Sequence, residues 1–264
     1  MVHRNSLFSA VCLILAWVVP ACLPAAPAPN GSRIDEILDR TGRAVELFWE
    51  QLPSYNCRES VTREKLEKKG KAEFRQTLEF DYVALTKTRN GHFTVEEARL
   101  PLKNKPEKSE PPSLLESNGF PTLQLIFHPR YQANYRFVQE EGYGGTSIRI
   151  HFEHIHGAGS TSAVLVQGVA HALELEGTAW IDSESGTIQK ISANLMNPME
   201  GINVEKFSAE VVYQPQHLEN DSELRWLPSS VMIELQTKSQ HWRNMHHYSE
   251  YRRFRVESEG TVPK

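Results

Sequence analysis

Histidines and a carboxylate crowd into one short stretch, His151-Phe152-Glu153-His154-Ile155-His156, with His171 not far on. On an extended chain His154 and His156 share a face, as do His151 and Glu153, and neutral imidazoles at that spacing can hold zinc. A metal site also needs a third fixed ligand and partners behind the ligands, and the chain has neither HExxH nor a His/Cys set. We therefore read His151 and Glu153 as solvent-facing, and His154 and His156 as trailing into the loop at 157–160. His151, His154 and His156 are weak metal candidates, and no cofactor is expected. His241, His246 and His247 form a second, looser group, read as lying on the wet side of late strands.

Nucleophiles are no better signposted. Neither Gly-x-Ser-x-Gly nor a well-placed Ser-x-x-Lys occurs, and Cys57 has no obvious base beside it. Arg58 and Glu59 read as alternating strand residues, and Cys57 as a small core residue. Glu174 and Glu176 could pair, but glycosidase acids need a fixed separation in a cleft. The turn at 142–145 (GYGG) lacks the lysine and helix start of a phosphate loop. Arg252, Arg253 and Arg255 alternate with Phe254 and Val256, as a solvated edge strand would. No catalytic signature emerges, so the expectation is that the protein is not an enzyme.

The elements around these residues are one helix and many strands. Ser32 can cap a helix, with Asp35 three residues on as a weaker capping box. Ile34, Ile37, Leu38, Thr41, Val45, Phe48 and Leu52 then recur at three- and four-residue steps on one face, and Pro53 stops the run. Period two follows. Phe74, Leu78, Phe80 and Tyr82 share a face, then Ile148, Ile150 and Phe152, then Leu173, Leu175, Ala179 and Ile181, then Phe207, Ala209, Val211 and Tyr213, then Val231, Ile233 and Leu235. Turn signals separate them at 89–91, 142–145, 183–186 and 219–222. Such alternation means antiparallel pairing with one wet and one dry face. The stretch 112–127 interrupts with a short helix or two.

The fold expected is α+β, mainly β. About eight to eleven strands form a large antiparallel sheet that curls over its dry face into a half-open β-barrel. The N-terminal amphipathic helix and short inserted helices cover the concave side.

At the N-terminus, residues 7–19 (LFSAVCLILAWVV) are apolar behind a head carrying His3 and Arg4. The run is too short to span a bilayer, which takes about 20 apolar residues, and has the layout of a secretory signal. Val19-x-Ala21 suits an ordinary signal peptidase, as does a site further on within LPAAPA (residues 23–28), and either cut leaves a soluble exported chain. Val19-Pro20-Ala21-Cys22 also resembles a lipobox, in which Cys22 is acylated and anchors the chain to a membrane. We favour the first. The organisation is then a signal peptide at 1–21, a Pro/Ala-rich tail at 22–31, a single domain at 32–258 and a C-terminal tail at 259–264. The charged, proline-rich segment 101–112 (PLKNKPEKSEPP) reads as an exposed loop within that domain. Removing residues 1–21 takes away one base, Arg4, so 29 bases against 33 acids become 28 against 33, a balance of −5. That excludes a general nucleic-acid binder. The expected location is the periplasm or cell envelope, or secretion beyond it.

One hairpin carries a resemblance. In residues 175–195 (LEGTAWIDSESGTIQKISANL) a strand ends in Trp180-Ile181-Asp182, turns through Ser183 to Gly186 and returns as Thr187-Ile188. It resembles the strand pair G-x-x-W-I-D-x-x-T-G-x-I of outer-membrane lipoprotein carriers and lipoprotein-sorting proteins (LolA- and LolB-like), with Ser185 in the usual Thr place. The flanks are similar to a broader group of uncharacterised exported bacterial proteins, through Leu52-Pro53-x-Tyr55-x-Cys57 and through Tyr248-x-x-Tyr251-Arg252-Arg253-Phe254. The resemblance implies a LolA-like half-barrel that shelters acyl chains. It places no functional residue on this chain.

The function expected is noncatalytic binding of a lipid or lipoprotein acyl chain. The candidate cavity residues are Phe74, Leu78, Phe80, Tyr82, Ile150, Phe152, Leu175, Ile181, Phe207 and Val211. A structural or protein-interaction module with a packed core is the first alternative, and a metal-dependent hydrolase using residues 151–156 the second. Metabolic labelling with a palmitate analogue tests the terminus. The favoured reading expects no label on the mature chain, whereas label that disappears in Cys22→Ala would establish the anchor.

Overall fold

The structure, a computed structural model, describes residues 30–52, 55–89, 92–102, 114–117, 121–140, 146–218 and 224–253. The signal run, Cys22 and most of the tail at 22–31, most of the 101–112 loop, the 142–145 turn and the tail at 259–264 lie outside the described residues. So do residues 90–91 and 219–222 of two further turns, and Phe254, Arg255 and Val256 of the expected edge strand.

The helical period produces α1, Asn30–Gln51. It begins two residues before Ser32, so the expected cap lies inside the helix. Ile37, Leu38, Thr41, Val45, Trp49 and Leu52 are buried. Trp49, rather than Phe48, is the deeply buried aromatic of the last turns; Phe48 is half-buried and meets it edge-on at 5.8 Å.

The alternating runs become twelve strands among the described residues. They are β1 (Tyr55–Leu66), β2 (Ala72–Arg89), β3 (His92–Pro101), β4 (Tyr135–Glu140), β5 (Ser147–His154), β6 (Ala163–Val166), β7 (Val169–Ala172), β8 (Leu175–Asp182), β9 (Ile188–Leu195), β10 (Val204–Gln216), β11 (Arg225–Thr237) and β12 (His241–Arg253). Ten form one sheet in the order β3-β2-β1-β12-β11-β10-β9-β8-β5-β4, every pair antiparallel. The sheet is curved and not closed, with β3 and β4 at its edges; β6 and β7 form a separate hairpin. This is the expected mainly-β architecture. Between β3 and β4 the interruption is a 3-10 segment, Pro121–Phe127, followed by the one-turn α2, Pro129–Gln132.

These pieces lie over the dry face because α1 cannot bury its stripe alone. Gln132 Nε2 donates to the carbonyls of Leu38 (3.0 Å) and Phe127 (2.7 Å), stapling α2 to α1 and to the 3-10 segment. Phe127 is fully buried against Phe137 (5.3 Å) and Phe152 (6.0 Å).

The seat of α1 is the β8–β9 turn that carried the family resemblance. Asp182 Oδ1 accepts from the backbone N–H of Ser185 (2.8 Å) and Glu184 (3.2 Å) and from the Ser185 hydroxyl (2.8 Å), which closes the turn. Burial alone would raise the Asp182 carboxyl; those hydrogen bonds together outweigh it and lower its pKa. Arg40 Nη1 donates to the Ser183 carbonyl. Gly186 has φ +73°, and a Cβ there would sit 2.7–2.8 Å from the backbone of Arg40 and Thr41. A left-handed backbone costs a non-glycine residue about 1–3 kcal/mol, and displacement of the helix would add to it. Gly186→Ala is therefore expected to destabilise the fold by roughly 2–4 kcal/mol, read as a lowered thermal midpoint. An unchanged midpoint would show that α1 is not seated there.

Candidate functional site

The inner face of the sheet is divided into two chemically different halves. Over β4, β5 and β8–β11 it is oily. Ile150, Phe152, Leu175, Ile181 and Val211 are buried there, packed with the 3-10 segment and α1 into one continuous core. Over β1, β2, β3 and β12 buried polar side chains, Glu59, Asn244 and His246, are set among apolar ones, Cys57, Val61, Tyr82, Ala84 and Tyr248.

The centre of the polar half is Glu59, fully buried on β1. Strand period aims it inward, in line with Tyr55, Cys57 and Val61. Arg99, from β3, makes a two-point contact, Nε to Oε2 at 2.6 Å and Nη2 to Oε1 at 3.0 Å. From β12, His246 Nδ1 lies 2.8 Å from Oε1 and the Tyr248 hydroxyl donates to it at 3.0 Å. Four contacts fill the acceptor capacity of a carboxylate. Behind them Tyr82 donates to Glu97 (3.0 Å), which pairs with Arg99 (2.8 Å), and the Arg99 guanidinium lies 5.5 Å from the centre of the Tyr82 ring.

The network continues upward to the segment 114–117. His246 Nε2 lies 2.8 Å from Ser117 Oγ. Asn244, two residues earlier on the same face of β12, donates to Ser117 Oγ (2.7 Å) and to the Leu115 carbonyl (2.9 Å). His246 is 1% exposed and Asn244 fully buried, whereas Ser117 is half-buried.

Below Glu59, Cys57 is buried. Its thiol is pushed up to about 12 by burial, against a hydrogen bond with Tyr251 that lowers it. It is an inert core thiol.

A groove of about 420 Å³ lies elsewhere, between α1 and the adjoining ends of β9 and β11. Phe48, Val45, Leu47, Ile188, Leu224, Trp226 and Leu227 line it, with Arg40, Arg43 and Arg225 and no carboxylate among the described lining residues. Leu47 and Leu224 are half exposed, at 51% and 52%. Arg225 Nη1 donates to the neutral Gln51 (3.3 Å). The Tyr55 hydroxyl, buried at this groove, has no hydrogen-bond partner among the described residues.

Few of the residues expected from sequence meet at a site. Ile150, Phe152, Leu175, Ile181 and Val211 are packed core; Phe80 and Tyr82 are buried in the polar half; Phe74 and Leu78 are half-buried farther along β2. None of the ten lines the groove beside α1. Phe207, half-buried, borders a smaller hollow of about 290 Å³ with Glu205, Lys206 and Glu234.

The histidine run is dispersed. His151 is half-buried. His154 is buried, against Tyr135 and near the Gly159 carbonyl (3.3 Å), and does not trail into a loop. His156 is exposed and bonds Glu174 (3.0 Å), which raises its pKa. No group of three His, Cys, Asp or Glu among the described residues could hold a metal ion.

The second histidine group also corrects the sequence reading. His246 faces the interior, not water. His241 pairs with Glu234 (2.6 Å), and only His247 is exposed. Arg99 and Asn244 carry no expectation from sequence, and Glu59 reads there only as an alternating strand residue, although the period carries a signal: Tyr55-x-Cys57-x-Glu59-x-Val61 and Asn244-x-His246-x-Tyr248 place charged or polar groups on inward positions.

No protein-family model and no curated protein matches the chain. Among solved structures, a DUF1329 family protein from Desulfovibrio piger is similar at 7% identity over 86% of this chain and 95% of that one, with a TM-score of 0.42.

Burial alone would raise the Glu59 carboxyl. The hydrogen bonds from His246 and Arg99, with the charges of both, outweigh it and bring its pKa from 4.5 to about 2. The folded-state value lies below the unfolded one, so this stabilisation is complete above about pH 4.5 and is lost as pH falls toward 2. At about 1.4 kcal/mol per unit, it amounts to roughly 3 kcal/mol. In urea unfolding, Glu59→Gln is expected to be well below wild type at pH 6, and the gap is expected to close as pH falls from 4.5 to 2.5. A gap independent of pH would contradict the assignment.

Proposed function

We propose that the protein is an exported binder of an anionic amphiphile, a lipid or an acyl chain carrying an acidic head group. The chain lies in the groove beside α1 and the head at its arginine rim. The observation that carries this reading is the groove itself: about 420 Å³, apolar within, edged by Arg40, Arg43 and Arg225, with no carboxylate among its described lining residues. That volume falls in the range of small-ligand sites, about 300–1,000 Å³.

Magnitudes divide the labour. Each buried methylene contributes about 0.8 kcal/mol, whereas a solvent-exposed ion pair contributes about 0–1 kcal/mol. The chain therefore supplies affinity and the rim supplies choice of head group. Because α1 forms one wall and rests on the Gly186 turn, a small shift of the helix opens or closes the site. The secretion-type leader and the resemblance of the 175–195 hairpin to lipoprotein carriers support an envelope setting.

A second reading, a protein-interaction module, has one observation in its favour. The β6–β7 hairpin holds Leu165 and Val169 largely exposed, at 70% and 58%.

Trp226 in the groove wall provides the assay. Brominated fatty acids are expected to quench its fluorescence saturably, and Leu47→Asp, on an exposed position, to weaken binding tenfold or more, about 1.4 kcal/mol. Arg43→Glu is expected to favour neutral over acidic head groups. No saturable quenching, together with no lipid in extracts of the purified protein, would transfer the case to the interaction module.

A further inference from the structure

We propose that Ser117, His246 and Glu59 constitute a serine-nucleophile relay that hydrolyses carboxylic esters, an activity separate from the groove beside α1. The three residues come from the segment 114–117, β12 and β1 and are brought together only by the fold. No local motif announces them, and such relays are recognised by geometry, not by sequence position.

The geometry has the order the chemistry requires: nucleophile to base, 2.8 Å from Ser117 Oγ to His246 Nε2, and base to orienting acid, 2.8 Å from His246 Nδ1 to Glu59 Oε1. Glu59 is ionised at neutral pH, so the neutral imidazole keeps its proton on Nδ1 and presents the Nε2 lone pair to the serine hydroxyl. Arg99 and Tyr248 hold the carboxylate and thereby the ring. Asn244 Nδ2 donates to Ser117 Oγ at 2.7 Å and to the Leu115 carbonyl at 2.9 Å, which fixes the hydroxyl beside His246. Ser117 is also the least buried member of the relay, as a group that must meet substrate has to be.

The reaction balances without a co-reactant other than water. Ser117 Oγ attacks the ester carbonyl carbon while its proton passes to His246 Nε2, leaving a tetrahedral oxyanion. Collapse breaks the carbon–oxygen bond to the alcohol, which leaves with the proton from Nε2. Water then gives a proton to Nε2 and attacks the acyl-serine; the acyl–Oγ bond breaks, Oγ takes the proton back from Nε2, and the carboxylic acid is released. Glu59 stays ionised throughout and is a positioning residue. Because it divides its charge between His246 and Arg99, it stabilises the imidazolium less than an unshared carboxylate would, and slow turnover of activated esters is expected.

The full chain is incubated with a fluorophosphonate and mapped by peptide mass spectrometry, and p-nitrophenyl butyrate hydrolysis is followed over pH. One phosphonyl adduct on Ser117 is expected. Ser117→Ala is expected to lose the adduct and at least about 100-fold in rate, with unchanged circular dichroism and fatty-acid binding. Ser117→Cys, a conservative nucleophile, is expected to retain an acylation burst. Glu59→Gln is expected to lower kcat with KM nearly unchanged, because it disturbs the orientation of the base and not substrate contact; a structural tie would not produce this split. Folded wild type that takes no adduct on Ser117, or that hydrolyses the ester no faster than Ser117→Ala, would overturn the proposal and leave the relay as a tie between the 114–117 segment and the sheet.

Discussion

An antiparallel sheet with one dry face has to be covered, and in this protein the cover rests on a contact between backbones. Gly186 lies against the Arg40–Thr41 peptide of α1, a distance no side chain could occupy. Arg40 in turn reaches the carbonyl of Ser183 in the same turn. Those contacts set the height of the helix over the sheet. Height decides how much of the space beneath is core and how much is groove. Beneath the middle of α1 the packing is complete, with Thr41, Val45 and Trp49 at 0–2% exposed. Along its flank, Arg43, Leu47 and Phe48 line the groove together with the ends of β9 and β11.

The division of the inner face follows from electrostatics. An unpaired buried carboxylate would cost several kcal/mol, so Glu59 demands donors, and four contacts from three residues on two strands converge on it. Arg99, His246 and Tyr248 are committed to it, and they fill the inner face around Glu59. None of these residues lines the groove beside α1, so the buried polar network and the groove are separate features of the fold.

The architecture was largely legible. The 3.6 period from Ile34 to Leu52 and the successive period-two runs are direct consequences of burying one face, and they survive as α1 and the strands that pair into one sheet. The resemblance hairpin was legible for a further reason, since Asp182, Ser185 and Gly186 each have a local role in the turn. The site was less so. Packed cores and cavities draw on the same residues, so Ile150, Phe152 and Leu175 looked like a lining and are solid core. Groove residues such as Leu224 and Arg225 sit at element ends, where no period reports their direction. His246 was misplaced because a histidine on a strand reads as wet unless its partner is known, and that partner, Glu59, lies 187 residues away.

Photo-cross-linking decides the central claim, that the guest lies on the flank of α1. A fatty acid with a diazirine on its chain, irradiated with the purified protein and mapped by mass spectrometry, is expected to mark peptides from the second half of α1 and from the start of β11. Adducts confined to peptides from β5 and β8, or scattered over the surface without saturation, would contradict it.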